Sequence, residues 1–350
     1  MPRSRVGSNS AVHPPVVSIV LPAFNATSIV GTAVESQRAQ TFADWELIVV
    51  DDGSEDDTVG VLKSFARRDP RIRVLARPHR GVVAAANDGL AAARGEFIAR
   101  MDADDVSHPD RLAEQVAFLR ERRDVGVVGS LVEFGGDRAA QAGYALHVDW
   151  LNSVVTPDDI ALNRFVESPL ANPSVMFRRE LVAQHGGLRG GNFPEDYELW
   201  LRWLDAGVVM AKVPRVLLTW NDPPQRLTRT DARYDVEAFY RCKAPWLARW
   251  LAKHVEPSRR ILVWGAGRPT RKRAEWLVPE GVKITGYVDI DPAKVGRTFA
   301  RRNVMSPDAI PHAEEVFVVC YVAKRGAREL ARGHLNGRGF VEGRDFLMAA

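Results

Sequence analysis

The chain has 350 residues, with 48 Lys or Arg, 44 Asp or Glu and two cysteines. That length supports two or three domains with sizeable cores. Cys242 and Cys320 are far apart and form no motif, so no cysteine metal site is implied and a reducing compartment fits.

The longest apolar run, Val16 to Phe24, contains Pro22 and is too short to cross a bilayer. Residues 1–15 are polar and Pro-bearing and hold no signal-peptide-like segment, so they read as a disordered tail and the protein as cytoplasmic. The charge is uneven. From Ser258 onward there are 17 Lys or Arg against 10 Asp or Glu, an excess of +7. The preceding residues hold the other 31 basic and 34 acidic groups, −3. Such a basic surface suits nucleotides, acidic glycans or anionic lipid heads, or simply keeps the chain soluble. No nucleic-acid motif with interleaved aromatics is present.

Taken in order, Val16 to Pro22 is a short β-branched run ended by Pro, which predicts a buried strand. A turn over Ala23, Phe24 and Asn25 leads to a helix over 28–40. Glu46 to Val50 is a second strand, ending in Asp51-Asp52-Gly53-Ser54, and Ser54 caps the next helix. Residues 71–75 form a third strand, and 81–93 an Ala-rich helix containing Asn87. Residues 96–101 form a fourth strand that delivers Asp102-Ala103-Asp104-Asp105. Alternating strands and helices predict an α/β, mostly parallel, doubly wound sheet with ligands at its C-terminal edge. Pro22, Asp51-Asp52 and the aspartates all fall at that edge. In an extended segment Asp102 and Asp104 face one side and Asp105 turns away. Such a pair suits Mg²⁺ or Mn²⁺ carrying a phosphorylated ligand. A solvated acidic turn leading into Pro109 is the other reading.

Val17 to Asn25, Trp45 to Ser54, Gly81 to Asn87 and Met101 to Asp105 resemble the successive signatures of family 2 glycosyltransferases. The resemblance covers about residues 16–222 and implies the GT-A fold. It implies that Asp52 contacts the base of a nucleotide-diphospho-sugar, beside the turn Pro22-Ala23-Phe24. Asp51, Gly81 and Asn87 belong to the same nucleotide-sugar signatures. It further implies that Asp104 binds the metal of the diphosphate, with Asp102 adjoining. Ala86 stands where many members carry a larger, often basic residue.

Helix 108–122 and a strand over 125–134 follow, then a less regular stretch to Ser168 where acceptor-binding variation fits. Glu195 and Asp196 open a helix bearing Leu199, Trp200 and Trp203. Carboxylates at a helix N-terminus are favoured by its dipole, which is reason enough for them. The family's matching pair supplies the general base that takes the acceptor's proton. This resemblance points to Asp196, with Glu195 orienting the acceptor or supporting the loop. Residues 208–213 and 216–220 read as two closing strands. Arg226 and Arg229, in the basic loop 223–230, are candidates to neutralise a leaving diphosphate. The implied reaction is an inverting, metal-dependent transfer to a hydroxyl, in glycan or polysaccharide biosynthesis. A non-catalytic nucleotide-sugar sensor stays open, as does a nucleotidyltransferase. The latter lacks its Gly-rich basic loop after the first strand.

Residues 234–254 read as a helix with an aromatic stripe, packed between domains or lying peripherally on the inner face of a membrane. After the linker 255–257 the pattern restarts over 258–350: strand 260–264, the turn Gly265-Ala266-Gly267, strand 282–288 ending at Asp289, strand 316–321 and a helix from about 325. This is a Rossmann-like unit resembling the small nucleotide-binding domains of sugar acyltransferases. Gly265, Gly267 and Asp289 are its candidate nucleotide turn, with Thr270 in the third Gly position. NAD, another nucleotide, or a purely structural role are its three readings.

Overall fold

The computed structural model describes residues 13–223, 226–324 and 326–350. Outside them lie the first twelve residues of the tail, Pro224 and Gln225 of the basic loop, and Arg325, where the last helix is expected to start.

Eight strands form the first sheet: β1 (Val17–Ala23), β2 (Trp45–Asp51), β3 (Ile72–Ala76), β4 (Phe97–Arg100), β5 (Val106–Ser107), β6 (Val125–Phe134), β7 (Met176–Arg178) and β8 (Val209–Trp220). Their spatial order is β3-β2-β1-β4-β7-β6-β8-β5. β1 to β4 are mutually parallel, and β7 runs antiparallel between β4 and β6. Strand alternation sends Val17, Ile19 and Leu21 to one face and Val20 to the other. Helices Val30–Arg38, Thr58–Arg68 and Arg111–Glu121 cover the first face, and Val82–Ala92 and Glu195–Asp205 the second. Both faces are therefore apolar, which explains the near-continuous hydrophobic runs of β1 and β2.

Two expectations need correction. Residues 208–220 form one strand, because the register against β6 jumps from Val213 to Val216 and bulges Pro214 and Arg215 out. Proline lacks a ladder donor, so the strand accommodates it by a bulge instead of ending there. The stretch 135–168 holds two helices, Ala142–Ser153 and Pro157–Asn163. The second has a reciprocal cap: the Thr156 hydroxyl accepts from the Asp159 N–H, and the Asp159 carboxylate from the Thr156 N–H.

The second sheet contains β9 (Arg260–Trp264), β10 (Ile284–Val288), β11 (Thr298–Phe299), β12 (Arg302–Met305), β13 (Val316–Cys320) and β14 (Phe346–Met348), in the order β11-β12-β10-β9-β13-β14. All pairs are parallel except the β11–β12 hairpin. The winding reverses at β9, whose C-terminal end carries the glycine turn.

Helix Val236–His254 joins the two sheets. Its Tyr240, Leu247 and Leu251 share one core with Tyr197 and Leu201 on one side and Phe317 and Leu347 on the other. The Lys243 ammonium, buried among them, donates to the carbonyls of Phe165 (2.8 Å) and Ala349 (2.7 Å). Of the aromatic stripe, Trp250 lies in this core, and Phe239 and Trp246 pack against it partly buried. Among the described residues no helix is long and apolar enough to cross a membrane.

Helix Val82–Ala92 lies so close to the sheet that a Cβ on Gly89 would sit 2.4 Å from Val20 Cγ1 and 3.3 Å from Val50 Cγ2. Overpacking of this kind costs about 1–3 kcal/mol, against a helix-propensity gain of about 1 kcal/mol for alanine over glycine. Gly89→Ala is therefore expected to lower the urea midpoint, and a raised midpoint would contradict the close approach.

Candidate active site

The C-terminal ends of β1, β2 and β4 lie side by side, with Ala23 paired to Asp51 and Val20 to Arg100. The fold therefore gathers three of the chain's signatures along one edge. At the β1 end, Phe24 is exposed and stacks on His79, ring centroids 4.2 Å apart. At the β2 end, Asp51 accepts from the N–H groups of Gly53 and Ser54, both at 3.2 Å, and so shapes its own turn. The buried Asp52 carboxylate accepts from the Arg80 N–H (2.9 Å) and the Gly81 N–H (2.8 Å), with His79 Nδ1 at 3.0 Å. Gly81 has φ +88°, a conformation that favours glycine. Asp52 thereby draws the 79–81 loop over the β2 end. Asn87 is engaged elsewhere: its amide donates to the Leu188 carbonyl (2.9 Å) and accepts from the Leu188 N–H (3.0 Å). Both halves of the amide pin the loop before the Glu195 helix.

The aspartates lie on a turn, not on an extended strand. β4 ends at Arg100, and the Asp105 N–H reaches back to the Asp102 carbonyl at 3.4 Å. Asp102 and Asp104 are therefore brought together by the turn, in place of the strand pleat expected from i and i+2. Burial, then repulsion from Asp102, pushes the Asp104 carboxyl up to about 6. Asp105 does turn inward: it is 1% exposed, accepts from the Asn221 N–H at 2.8 Å, and is pushed well up by burial and by Asp104. Arg226 donates to the Tyr144 hydroxyl and the Asn221 carbonyl and lies 4.6 Å from the Trp220 ring. Burial works against its charge, but Tyr144, Asp105, Asp104 and Asp102 hold the guanidinium well above its usual range. Arg229 is not part of this group. It pairs with the buried Asp222, which also accepts from Gln141 at 2.9 Å.

Across the edge, helix Glu195–Asp205 presents Glu195 and Asp196 in its first turn. Glu195 is 6% exposed, and burial raises its carboxyl while the Tyr234 hydroxyl, 2.8 and 2.7 Å from its two oxygens, lowers it. Asp196 is half-buried, so solutes reach it, and it accepts from its neighbour Tyr197 N–H at 2.7 Å. Burial, then the charge of Glu195, pushes Asp196 up to about 7. Arg100, 2% exposed in β4, lies between the two acidic groups. Its guanidinium is 3.7 Å from Asp102 and also feels Glu195 and Asp196.

The residues fit a hard divalent cation. Asp104 is desolvated beside a like charge, an arrangement that a cation relieves. Among the described residues no group of three or more His, Cys, Asp or Glu closes a metal cage. Two carboxylates suit an ion of Mg²⁺ type that keeps waters and ligand phosphates in its shell.

In the second sheet, Gly265 has φ +115°, and Thr270 packs where its Cβ would be, 2.8 Å away. The structure brings Asp289 to the same turn, but turned back on it. Asp289 accepts from the Ala266 N–H at 2.8 Å and holds Lys294 at 3.3 Å.

Arg100, His79, Tyr144, Asn221 and Tyr234 escaped the sequence analysis. Arg100 sits inside an apolar strand and Tyr234 at the expected start of a helix. Asn221, immediately after Trp220, was the one that its place at a strand end could have revealed.

This parallel-dominated sheet, with carboxylates along its C-terminal edge, is a GT-A transferase fold. Crystalline TarS 1–349 from S. aureus, in complex with UDP-GlcNAc, superposes with a TM-score of 0.54 at 17% identity, covering 75% of this chain and 71% of that one. Residues 18–186 match the model of glycosyl transferase family 2, and this domain belongs to that family. The chain is 29% identical over 231 residues to the putative glycosyltransferase EpsE of Bacillus subtilis, covering 64% of this chain and 79% of that protein. It is 24% identical over 245 residues to the O-antigen biosynthesis glycosyltransferase WbnJ of Escherichia coli, covering 69% and 91%. It spans 65% of the length of an uncharacterized glycosyltransferase of Haemophilus influenzae, 27% identical over 59% of this chain. The family match ends short of Glu195 and Asp196.

The Asn87 geometry yields a test. Removing a hydrogen-bonded partner from a part-buried site costs about 1–3 kcal/mol. Asn87→Ala should lower stability by that order in urea denaturation and leave nucleotide affinity unchanged. Lost nucleotide affinity with unchanged stability would return Asn87 to the ligand.

Proposed function

We propose that the protein is an inverting, metal-dependent glycosyltransferase that moves a sugar from a nucleotide-diphospho-sugar to an acceptor hydroxyl in glycan or polysaccharide biosynthesis. The observation that carries this reading is the pairing of two acidic groups with different surroundings on one sheet edge. Asp102 and Asp104 lie beside Arg226, and Asp196 is poised at about 7 on the facing helix.

In this reading the nucleoside lies across the ends of β1 and β2. The exposed Phe24–His79 stack offers an aromatic face to a base, and Asp52 holds the 79–81 loop that flanks it. Asp102 and Asp104 hold the divalent cation, and Arg226 adds a fixed positive charge where the diphosphate departs. The cation, when bound, supplies Lewis-acid stabilisation of the leaving nucleoside diphosphate. Asp196 takes the proton of the acceptor hydroxyl as its oxygen attacks the anomeric carbon and the bond to the diphosphate breaks. A carboxyl near 7 is well matched to this task, because it is half unprotonated at neutral pH yet still a strong base for a carboxylate. The relatives named for glycosyl transfer and O-antigen biosynthesis, and the UDP-GlcNAc held by TarS, support the substrate class.

Asp196→Asn keeps the shape and removes the base. General-base catalysis contributes roughly 10²–10⁴-fold, so turnover should fall by that order while nucleotide-sugar affinity holds. Asp104→Ala should abolish the stimulation by Mg²⁺ or Mn²⁺. Wild-type turnover in Asp196→Asn, or intact metal stimulation in Asp104→Ala, would sink the role of that residue. The active form carries Asp196 unprotonated, so kcat should rise with pH through a limb near 7. A flat profile from pH 5 to 8 would contradict that.

A further inference from the structure

Glu195 is held by a residue from outside the first sheet. The Tyr234 hydroxyl carries one proton and lies 2.8 and 2.7 Å from the two Glu195 oxygens, so it bridges both. Tyr234 follows β8 and the basic loop, in the tight turn Ala232–Tyr234. The Asp231 carboxylate closes that turn, accepting from the Arg233 N–H at 2.9 Å and pairing with its guanidinium at 2.7 Å. Immediately afterwards begins helix Val236–His254, wedged between the Glu195 helix and the second sheet. Tyr234 is therefore anchored from both ends, and its position depends on the packing that joins the sheets.

Several charged and titratable groups face the carboxylate pair. Tyr234 touches Glu195 from the turn, and Glu195 also feels the charges of Arg233 in the turn, of Asp102 at the end of β4 and of Arg100 within β4. Asp196 feels the charges of Glu195, Asp102, Arg226 and Arg100, and the Cys242 thiol on the helix behind it feels Asp196 in turn. Two adjacent carboxylates, Glu195 buried and Asp196 half-buried, compete for one proton. The group with the better donor keeps its charge, and here that donor is Tyr234.

We propose that Tyr234 is a positioning residue for glycosyl transfer: by gripping both oxygens of Glu195 it fixes that carboxylate and leaves Asp196 to receive the acceptor's proton. The proposal rests on the reading of Asp196 as general base. It also gives the second sheet a part in the reaction, because the helix packed on that sheet carries the turn that aims Tyr234. Without the hydroxyl, a proton settles on Glu195. Asp196 then loses its fixed negative neighbour and becomes a weaker base that ionises at lower pH.

The test uses the full chain and a nucleotide-sugar with Mn²⁺. Tyr234→Phe removes one oxygen and keeps the ring, so folding is checked by an unchanged thermal transition. The expected result is a kcat lower by about ten- to hundredfold, the worth of a hydrogen bond to a charged group. The acid limb of kcat should move to lower pH, and the donor KM should stay within about twofold, since a residue acting only on the base leaves donor binding alone. In the double variant Tyr234→Phe/Glu195→Gln the loss should be no greater than in Glu195→Gln, because one effect runs through the other. Wild-type kcat and pH profile in Tyr234→Phe, or additive losses in the double variant, would overturn the proposal. Asp196→Asn, run in parallel, separates the two readings. Retained turnover there removes the base assignment, whatever the coupling between Tyr234 and Glu195.

Discussion

Like charges gathered on a desolvated edge repel, and the architecture of this protein answers that repulsion. Asp102, Asp104, Asp105, Glu195 and Asp196 all converge from β4 and the facing helix, and burial raises the carboxyls of Asp104, Asp105, Glu195 and Asp196. Two arginines, the buried Arg100 from below and the half-buried Arg226 from the post-sheet loop, supply the opposing charge. Neither is an incidental surface residue. Arg100 is enclosed by the sheet, and Arg226 is wedged against Trp220 and Tyr144. The remaining imbalance makes the edge a place where a cation and a phosphorylated ligand are welcome.

Much of this was legible in the sequence because it follows from periodicity and chain punctuation. β1, β2 and β6 are unbroken β-branched or apolar runs with sharp ends, and they appear within a residue of where the pattern puts them. The GT-A fold and the family membership follow from signatures carried on those strand ends. What escaped depends on tertiary partners. Pro214 looked like a strand terminus because a bulge against Ser130 and Leu131 is invisible without the partner strand. The tie between Asn87 and Leu188 spans 101 residues and leaves no local mark. Tyr234 was absorbed into a helix because nothing local marks it as the donor to a carboxylate 39 residues earlier.

The aspartate turn shows the same limit at the site itself. Residue type and position identified Asp102 and Asp104 as a pair, but the pleat argument supplied the wrong geometry. The chain leaves β4 at Arg100 and folds back, so the pair is set by a turn that Asn221 braces from β8's end, donating to the Asp104 carbonyl at 2.6 Å. In the candidate nucleotide turn of the second sheet the side-chain partners are likewise set by the fold. Gly265 turns at φ +115°, and Asp289 is held at that turn by the Ala266 N–H and Lys294. Motif spacing reports the backbone well and the engagement of side chains poorly.

The central mechanistic claim is that Asp196 deprotonates the acceptor for one in-line displacement at the anomeric carbon. Proton NMR of the first-formed product reads this directly, through the anomeric coupling of the transferred sugar. A single displacement predicts the configuration opposite to that of the donor. A product with the donor's own configuration would contradict the account.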